Sequence, residues 1–139
     1  MNGVDTNVFV YSLDTNEPVK QAKAQDLLRR LQAGPVRTVL LWQVAGEILQ
    51  QLRRWQDRRQ ITRAELLHHA QTFLNMFPLE VPAAPVLDRA LDLSGRYSLS
   101  HWDSMLLGAC IEAGVTTLYT EDMGSPTTID SIQLLNPFI

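Results

Sequence analysis

The 139-residue chain contains a single cysteine, Cys110, so it cannot form an internal disulfide. It has no apolar run of the roughly 18 residues that a helix needs to cross a bilayer. No basic segment followed by an apolar stretch indicates a signal peptide. These absences predict a cytoplasmic protein. Its 45% hydrophobic and 19% charged residues are typical of a soluble domain, which we expect to span residues 1–139.

Several enzyme classes are excluded by motifs that the sequence lacks. It has no G-x-x-x-x-G-K-S/T loop, no G-x-G-x-x-G and no G-x-S-x-G, which argues against P-loop nucleotide hydrolases, dinucleotide-dependent enzymes and α/β-hydrolases. Its three histidines do not have the pattern of a zinc site. His68 and His69 are neighbours that point about 100° apart on a helix, and His101 is better explained as part of a helix start.

Lysine is also scarce, which argues against an aspartyl-phosphate enzyme. Such phosphatases place an Asp after the first strand and use Mg2+, but they follow it with a second Asp two residues on, where this chain has Asn7. They also use a lysine late in the chain, whereas the only lysines here are Lys20 and Lys23. A phosphatase is therefore a weaker competing hypothesis.

Predicted strands alternate with predicted helices along the chain. Helical apolar spacing and capping residues mark the helices, such as the capping-box pattern that begins at Thr62 and a similar one at Ser100. This alternation predicts an α/β fold with a central parallel sheet of four to five short strands and helices on both faces. The short apolar runs that predict the strands are residues 1–4, 36–41, 77–81, 115–119 and 132–135.

Four acidic residues lie where a predicted strand ends or a predicted helix begins. Asp5 and Asp122 follow strands, and Glu47 and Asp103 lie near the starts of helices that follow strands. Because these positions share one edge of a parallel sheet, we expect the four carboxylates to converge. Converging carboxylates repel each other and are costly to desolvate. A divalent, oxygen-preferring cation such as Mg2+ or Mn2+ would relieve both effects.

Each acid also has a simpler explanation of its own. Asp5 could cap the next helix, Asp103 could close a capping box, Glu47 could be a surface residue and Asp122 could form a turn. A joint site would instead suit the hydrolysis of phosphodiester bonds, with Asp5 and Asp103 as the most direct metal ligands. The neighbours expected to hold or supplement these carboxylates are Thr6, Asn7, Thr120 and Glu121.

Positive charge is concentrated in one segment. Eight of the twelve basic residues lie between Arg29 and Arg63, whereas residues 64–139 carry nine acids and two bases. The segment is either a solvated helix face or a surface for RNA phosphates or an acidic partner. The candidate contacts are Arg53, Arg54, Arg58 and Arg59. The tryptophans, which we expect in the core or at a dimer interface rather than under stacked bases, are Trp42, Trp55 and Trp102.

The residues around the four acids resemble those of PIN-domain nucleases, and within that family most resemble VapC-type toxins of type II toxin–antitoxin systems. The resemblance covers nearly the whole chain and implies a PIN-like three-layer α/β/α fold. The order and spacing of the matching motifs are more specific than any one of the motifs alone. The matching segments are Val4–Tyr11, Glu47, His101–Ser104, Tyr119–Met123 and the closing Asn136–Phe138.

The resemblance implies a Mg2+-dependent endoribonuclease in which Mn2+ can substitute. It also implies a homodimer and a cognate antitoxin whose tail blocks the acidic pocket. The family's four acids correspond here to Asp5, Glu47, Asp103 and Asp122, with Glu121 as an alternative to the last. The alternative function is a non-catalytic PIN-like scaffold that binds RNA or protein, which the presence of all four acids disfavours.

Overall fold

The computed structural model describes residues 1–124 and 127–139. Within these residues the strands are β1 (Asn2–Val4), β2 (Thr38–Leu41), β3 (Leu79–Glu80), β4 (Thr117–Tyr119), β5 (Thr128–Ile129) and β6 (Ile132–Leu135). The helices are α1 (Thr6–Tyr11), α2 (Pro18–Ala33), α3 (Trp42–Asp57), α4 (Arg63–Met76), α5 (Pro85–Arg96) and α6 (His101–Ala113). In this part of the chain, none of the helices is long and apolar enough to span a membrane.

The strands form one sheet in the order β3-β2-β1-β4-β6-β5, in which every pair is parallel except β5 with β6. The predicted α/β fold with a mainly parallel sheet is confirmed, and the described sheet has six strands rather than four to five. The additional strand, β5, has only two residues, too few to give an apolar pattern. It precedes a turn in which Asp130 has a φ of 50°, a conformation that residues with side chains rarely adopt.

The direction of the chain across the sheet reverses beside β1. From β1 the chain proceeds outward to β2 and β3, and it then returns past β1 to β4 and β6. Because such parallel crossovers are right-handed, α1 to α4 cover one face and α5 with α6 cover the other. The crevice at the carboxyl ends of β1 and β4 is therefore the topological switch point, where folds of this type bind ligands.

Close packing supports the crevice from both faces. On one face, the ring of Phe9 in α1 meets the ring of Phe73 edge-on, with the centroids 5.2 Å apart. On the other, α6 approaches α5 so closely at Gly108 that a β-carbon there would lie 3.1 Å from the carbonyl oxygen of Val86. Cys110 of α6 is fully buried. The elements that carry the predicted acids are thus held by a packed core.

Candidate active site

Asp5 lies at the end of β1 in the switch-point crevice, and its side chain is only 7% exposed. Its Oδ1 accepts a hydrogen bond from the backbone N–H of Thr6 at 2.7 Å, and its Oδ2 accepts one from the Thr120 hydroxyl at 2.8 Å. Its own N–H donates to the carbonyl of Tyr119 at the end of β4. Asp5 therefore caps α1, as one explanation predicted, and also joins β1 to β4.

The electrostatic environment of Asp5 involves two of the other acids. Burial raises the pKa of Asp5 from its ordinary value of 3.8 to about 6, against the opposing effect of the hydrogen bonds from Thr120 and Thr6. The negative charges of Glu47 and Asp122 raise this pKa further. These two carboxylates are therefore near enough to disfavour the ionised form of Asp5.

Glu47 is half-buried in the second turn of α3 and faces α1. The hydroxyl of Thr6 donates to its Oε2 at 2.7 Å, and the side-chain amide of Gln43 donates to its Oε1 at 2.9 Å. The same amide donates to the carbonyl of Trp102 at 3.1 Å, which links α3 to the first turn of α6. Glu47 is thus an oriented carboxylate and not a free surface side chain. Gln43 was not predicted from the sequence, although its position one turn before Glu47 is a usable signal.

Asp122 and Asp103 are more exposed to solvent than Asp5. The side-chain amide of Asn7 donates to Asp122 Oδ2 at 3.3 Å, and the Thr120 hydroxyl accepts from the Asp122 N–H at 3.0 Å. Desolvation raises the pKa of Asp122, and the charge of Asp103 is the next cause. The N–H of Asp103 donates to the Ser100 side chain, but among the described residues no hydrogen bond holds the Asp103 carboxylate.

The residues of the crevice fit a divalent cation by the chemistry of their donors. No group of three or more His, Cys, Asp or Glu side chains that could hold a metal ion is found among residues 1–124 and 127–139. However, burial and, after it, the charges of neighbouring carboxylates raise the pKa of Asp5 and of Asp122, and beside them the side-chain oxygen of Asn7 is buried without a hydrogen-bond partner. Carboxylate and amide oxygens are the ligands that Mg2+ and Mn2+ prefer.

Glu121 is turned away from the crevice. Its carboxylate forms an ion pair with the amino group of Lys20, which also donates to the Tyr11 hydroxyl at 3.2 Å. The hydrogen bond from Lys20 to Glu121 raises the pKa of Lys20. The pair fixes the end of β4 next to Asp122. Lys20 could not be predicted from the sequence as the partner of Glu121, because 101 residues separate the two and no local pattern joins them.

The four candidate arginines are all exposed, and they do not all border the same groove. Arg54 lines a groove of about 660 Å³ beside Glu47, whereas Arg58 lines a separate pocket with Trp55 and His69. Arg53 and Arg59 line neither of these. The residues that border the groove, named from here on the α3 groove, are Thr6, Val10, Gln43, Gly46, Glu47, Gln50, Gln51, Arg54 and Trp102.

Two of the three tryptophans are outside the core. Trp42 is 55% exposed and Trp102 is 62% exposed, whereas Trp55 is half-buried against the core. Trp42 and Trp102 line an apolar cleft of about 270 Å³ together with Val81 and Met105. Of the two expected places, the core is therefore excluded for Trp42 and Trp102, and a dimer interface stays a prediction for them. Their flat, rigid side chains remain available for binding.

Comparison with known proteins gives one family and several similar folds. The family model described as PIN domain matches residues 4–124. A toxin–antitoxin complex from Klebsiella pneumoniae has a chain with a TM-score of 0.69 and 14% identity, covering 99% of this chain and 98% of that one. A chain of VapBC2 from Rickettsia felis, bound to a promoter DNA fragment, has a TM-score of 0.71 and 14% identity, with 97% of each chain covered.

A third similar structure is VapC20 from Mycobacterium tuberculosis, a toxin that cleaves the sarcin–ricin loop. Its TM-score is 0.62 at 14% identity, over 94% of this chain and 98% of that one. No curated protein matches the chain in sequence. At such low identity the structural similarities establish a shared fold, and the match to the family model covers most of the chain. The chain therefore belongs to the PIN domain family, as its sequence motifs indicated.

Proposed function

We propose that this protein is a metal-dependent endoribonuclease and the toxin of a toxin–antitoxin pair. The observation that carries the proposal is that hydrogen bonds at the switch point join acids from separate elements. Thr6 bonds to both Asp5 and Glu47, and Thr120 bonds to both Asp5 and Asp122. Asp103 lies near enough that its charge raises the pKa of Asp122, after the larger effect of desolvation. The family membership and the fold shared with toxin–antitoxin proteins support the same function.

In this proposal, Asp5 and Asp103 are the direct ligands of Mg2+ or Mn2+, and Glu47 and Asp122 complete its coordination. When bound, the cation stabilises the charge that develops on the scissile phosphate and promotes ionisation of an attacking water. Thr6 and Thr120 hold Asp5 and Glu47 in fixed orientations through their hydrogen bonds. Asn7 does the same for Asp122, with its buried oxygen available as a further donor to the cation.

Cleavage of RNA in the presence and absence of metal tests this proposal. Purified protein should cut a structured RNA internally when Mg2+ or Mn2+ is present, because the cation offsets the repulsion between the carboxylates and the phosphate. Excess EDTA should abolish cleavage, and added Mg2+ should restore it. Fragments resolved by gel electrophoresis provide the readout. Cleavage that persists in EDTA, or no cleavage of any RNA with either metal, would contradict the proposal.

The proposal includes assembly with a second copy and with an antitoxin. The similar structures from Klebsiella and Rickettsia are described as toxin–antitoxin complexes, which supports an antitoxin partner for this chain. The apolar cleft with its exposed Trp42 and Val81 supports a homodimer, since exposed apolar surface of this kind marks protein interfaces.

Introducing charge into the apolar cleft is expected to dissociate the homodimer. Trp42→Glu combined with Val81→Glu would place two carboxylates in an interface core, where unpaired charges are strongly unfavourable. We expect light scattering after size exclusion to give the dimer mass for the wild type and half that mass for the variant. Val19→Glu is the matched control, because Val19 is 67% exposed but lies on α2 outside the cleft. A wild-type monomer, or an unchanged dimer in the double variant, would exclude this interface.

A further inference from the structure

One face of α3 leads from the acidic crevice to a positive charge. Gln43, Glu47, Gln50, Gln51 and Arg54 recur at helical spacing and all border the α3 groove. Between Glu47 and Arg54 the helix rises by about 10 Å. Among the described residues that line the groove, Glu47 is the only carboxylate. The groove therefore passes from a carboxylate through neutral amides to a guanidinium, which is the donor that best matches phosphate.

Gly46 lies on the same face, next to Glu47, and the fold gives no reason for a glycine there. It occupies the interior of the sixteen-residue α3, where glycine is unfavourable relative to alanine. A β-carbon at Gly46 would meet no atom within 4 Å. The residue is exposed and borders the groove. A glycine of this kind lets a ligand approach the helix backbone closely.

Trp102 borders the groove at its other side, one residue before Asp103. Its side chain is 62% exposed, and its carbonyl accepts the hydrogen bond from Gln43 that fixes its backbone against α3. The ring also meets the His101 ring edge-on, with a centroid distance of 4.7 Å. An exposed indole held beside a phosphodiester-cleaving site is suited to stacking on a nucleic-acid base.

We propose that the α3 groove binds single-stranded RNA next to the scissile phosphate, with one base stacked on Trp102 and a flanking phosphate paired with Arg54. The amides of Gln50 and Gln51 offer donors and acceptors to the strand between these two points, whereas both amide hydrogens of Gln43 are already donated to Glu47 and to the Trp102 carbonyl. This inference rests on the proposed function, because it assigns the position of the substrate at the same site. Of the four candidate arginines, it uses Arg54.

The observations favour a single strand over a duplex or a protein segment. Bases within a duplex are stacked on each other and do not reach an aromatic side chain, whereas bases of single strands can be splayed out onto one. The groove is also continuous with the crevice through Thr6 and Glu47, so a strand that places a phosphate at the carboxylates must extend along it or leave the surface. A protein segment lacks both the phosphate that the planar guanidinium of Arg54 matches and the base that stacks on an exposed indole.

Binding of a fluorescein-labelled single-stranded RNA tests the proposal, measured by fluorescence anisotropy with Mg2+ in an Asp103→Asn background that blocks cleavage. Gly46→Leu should raise the Kd at least about 10-fold, the equivalent of one lost hydrogen bond to a charged group. Gly95→Leu is the matched control, since a β-carbon at Gly95, near the end of α5, also meets no atom within 4 Å. Both variants should keep the melting temperature of their parent or raise it, because leucine favours helix. A weaker affinity for RNA in Gly46→Leu than in Gly95→Leu would therefore not result from a defect in folding.

Arg54 and Trp102 give two further readouts. Arg54→Gln should weaken binding and reduce the slope of log Kd against log salt by about 0.7, the value for one phosphate contact with a single strand. Arg89→Gln on α5 makes the same charge change and should leave the slope unaltered. Trp102→Ala should raise the Kd by about 5- to 100-fold, and Trp102→Tyr should restore most of the affinity.

The outcomes separate this inference from the proposed function. If wild-type protein cleaves RNA but Gly46→Leu and Arg54→Gln bind and cleave it with unchanged Kd and KM, the inference is overturned and the nuclease stands. If the groove variants lose RNA affinity but the wild type cleaves no RNA, the groove is supported as an RNA-binding site and the proposed nuclease activity is contradicted. Unchanged RNA affinity in Trp102→Ala together with loss of the dimer would assign Trp102 to the interface between copies and overturn the stacking role.

Discussion

Asp5→Asn and Asp103→Asn are each expected to reduce RNA cleavage by at least about 100-fold while the protein stays folded. Substituting residues that only support metal ligands costs about 10- to 100-fold, so the loss of a ligand should cost at least as much. Asparagine keeps the shape of aspartate, and at Asp5 it can still accept the hydrogen bond from the Thr6 N–H. The change therefore removes charge with little change in packing. Initial cleavage rates with a labelled RNA provide the measurement, and circular dichroism checks the fold.

Asp57→Asn is the matched control for this experiment. Asp57 is an exposed carboxylate at the end of α3, outside the crevice and the α3 groove, so its substitution makes the same chemical change without touching the site. Its cleavage rate should stay within about 2-fold of the wild type, the range expected for a surface substitution away from special features. Wild-type cleavage rates in both Asp5→Asn and Asp103→Asn would remove the carboxylate site from the reaction.

The same Asp5→Asn substitution is expected to stabilise the metal-free protein. Burial raises the pKa of Asp5 from 3.8 to about 6, so the ionised side chain destabilises the folded state at neutral pH. A shift of this size corresponds to ~2–3 kcal/mol of unfolding free energy. For a chain of this length, the melting temperature in EDTA at pH 7 should therefore rise by about 5–10 °C. A loss of function accompanied by a gain in stability would mark Asp5 as a functional residue.

The dependence of this gain on pH follows from the direction of the pKa change. Because the folded state binds the proton more tightly than the unfolded chain, wild-type stability should fall as the pH rises from about 4 to about 6, and the asparagine variant should lack this fall. The difference in melting temperature should thus be largest at pH 7 and vanish below about pH 4. A variant that is less stable than the wild type at pH 7 would show that the charge of Asp5 stabilises the fold.

The positions of the four acids could be predicted because each depends on a local signal. Strand ends and helix starts can be read from short patterns around Asp5, Glu47, Asp103 and Asp122, and the alternation of elements then assigns them to one edge of the sheet. The hydrogen bonds of Thr6, Asn7 and Thr120 to these carboxylates join distant parts of the chain, and they could be expected only because these residues adjoin the acids at the same edge of the sheet.

Other features depend on contacts between distant parts of the chain and could not be predicted in this way. The pair between Lys20 and Glu121 forms only when α2 is packed beside the end of β4. The exposure of Trp102 depends on how α6 meets α3, and a pattern of apolar residues does not distinguish a core indole from an exposed one. The position of Arg54 beside the groove could not be predicted either. Arg53 and Arg54 are neighbours on α3, and only the direction in which each side chain leaves the helix brings Arg54, and not Arg53, to the groove.

Calorimetric titration of Mn2+ into the metal-free protein tests most directly whether the four carboxylates share a cation. The wild type should bind Mn2+ and release protons near pH 6, because the metal competes with the proton that the raised pKa of Asp5 retains. Asp5→Asn and Asp103→Asn should each bind at least about 10-fold more weakly. No detectable binding by the wild type, or equal affinity in all three proteins, would contradict a shared metal site and favour a scaffold that binds without catalysis.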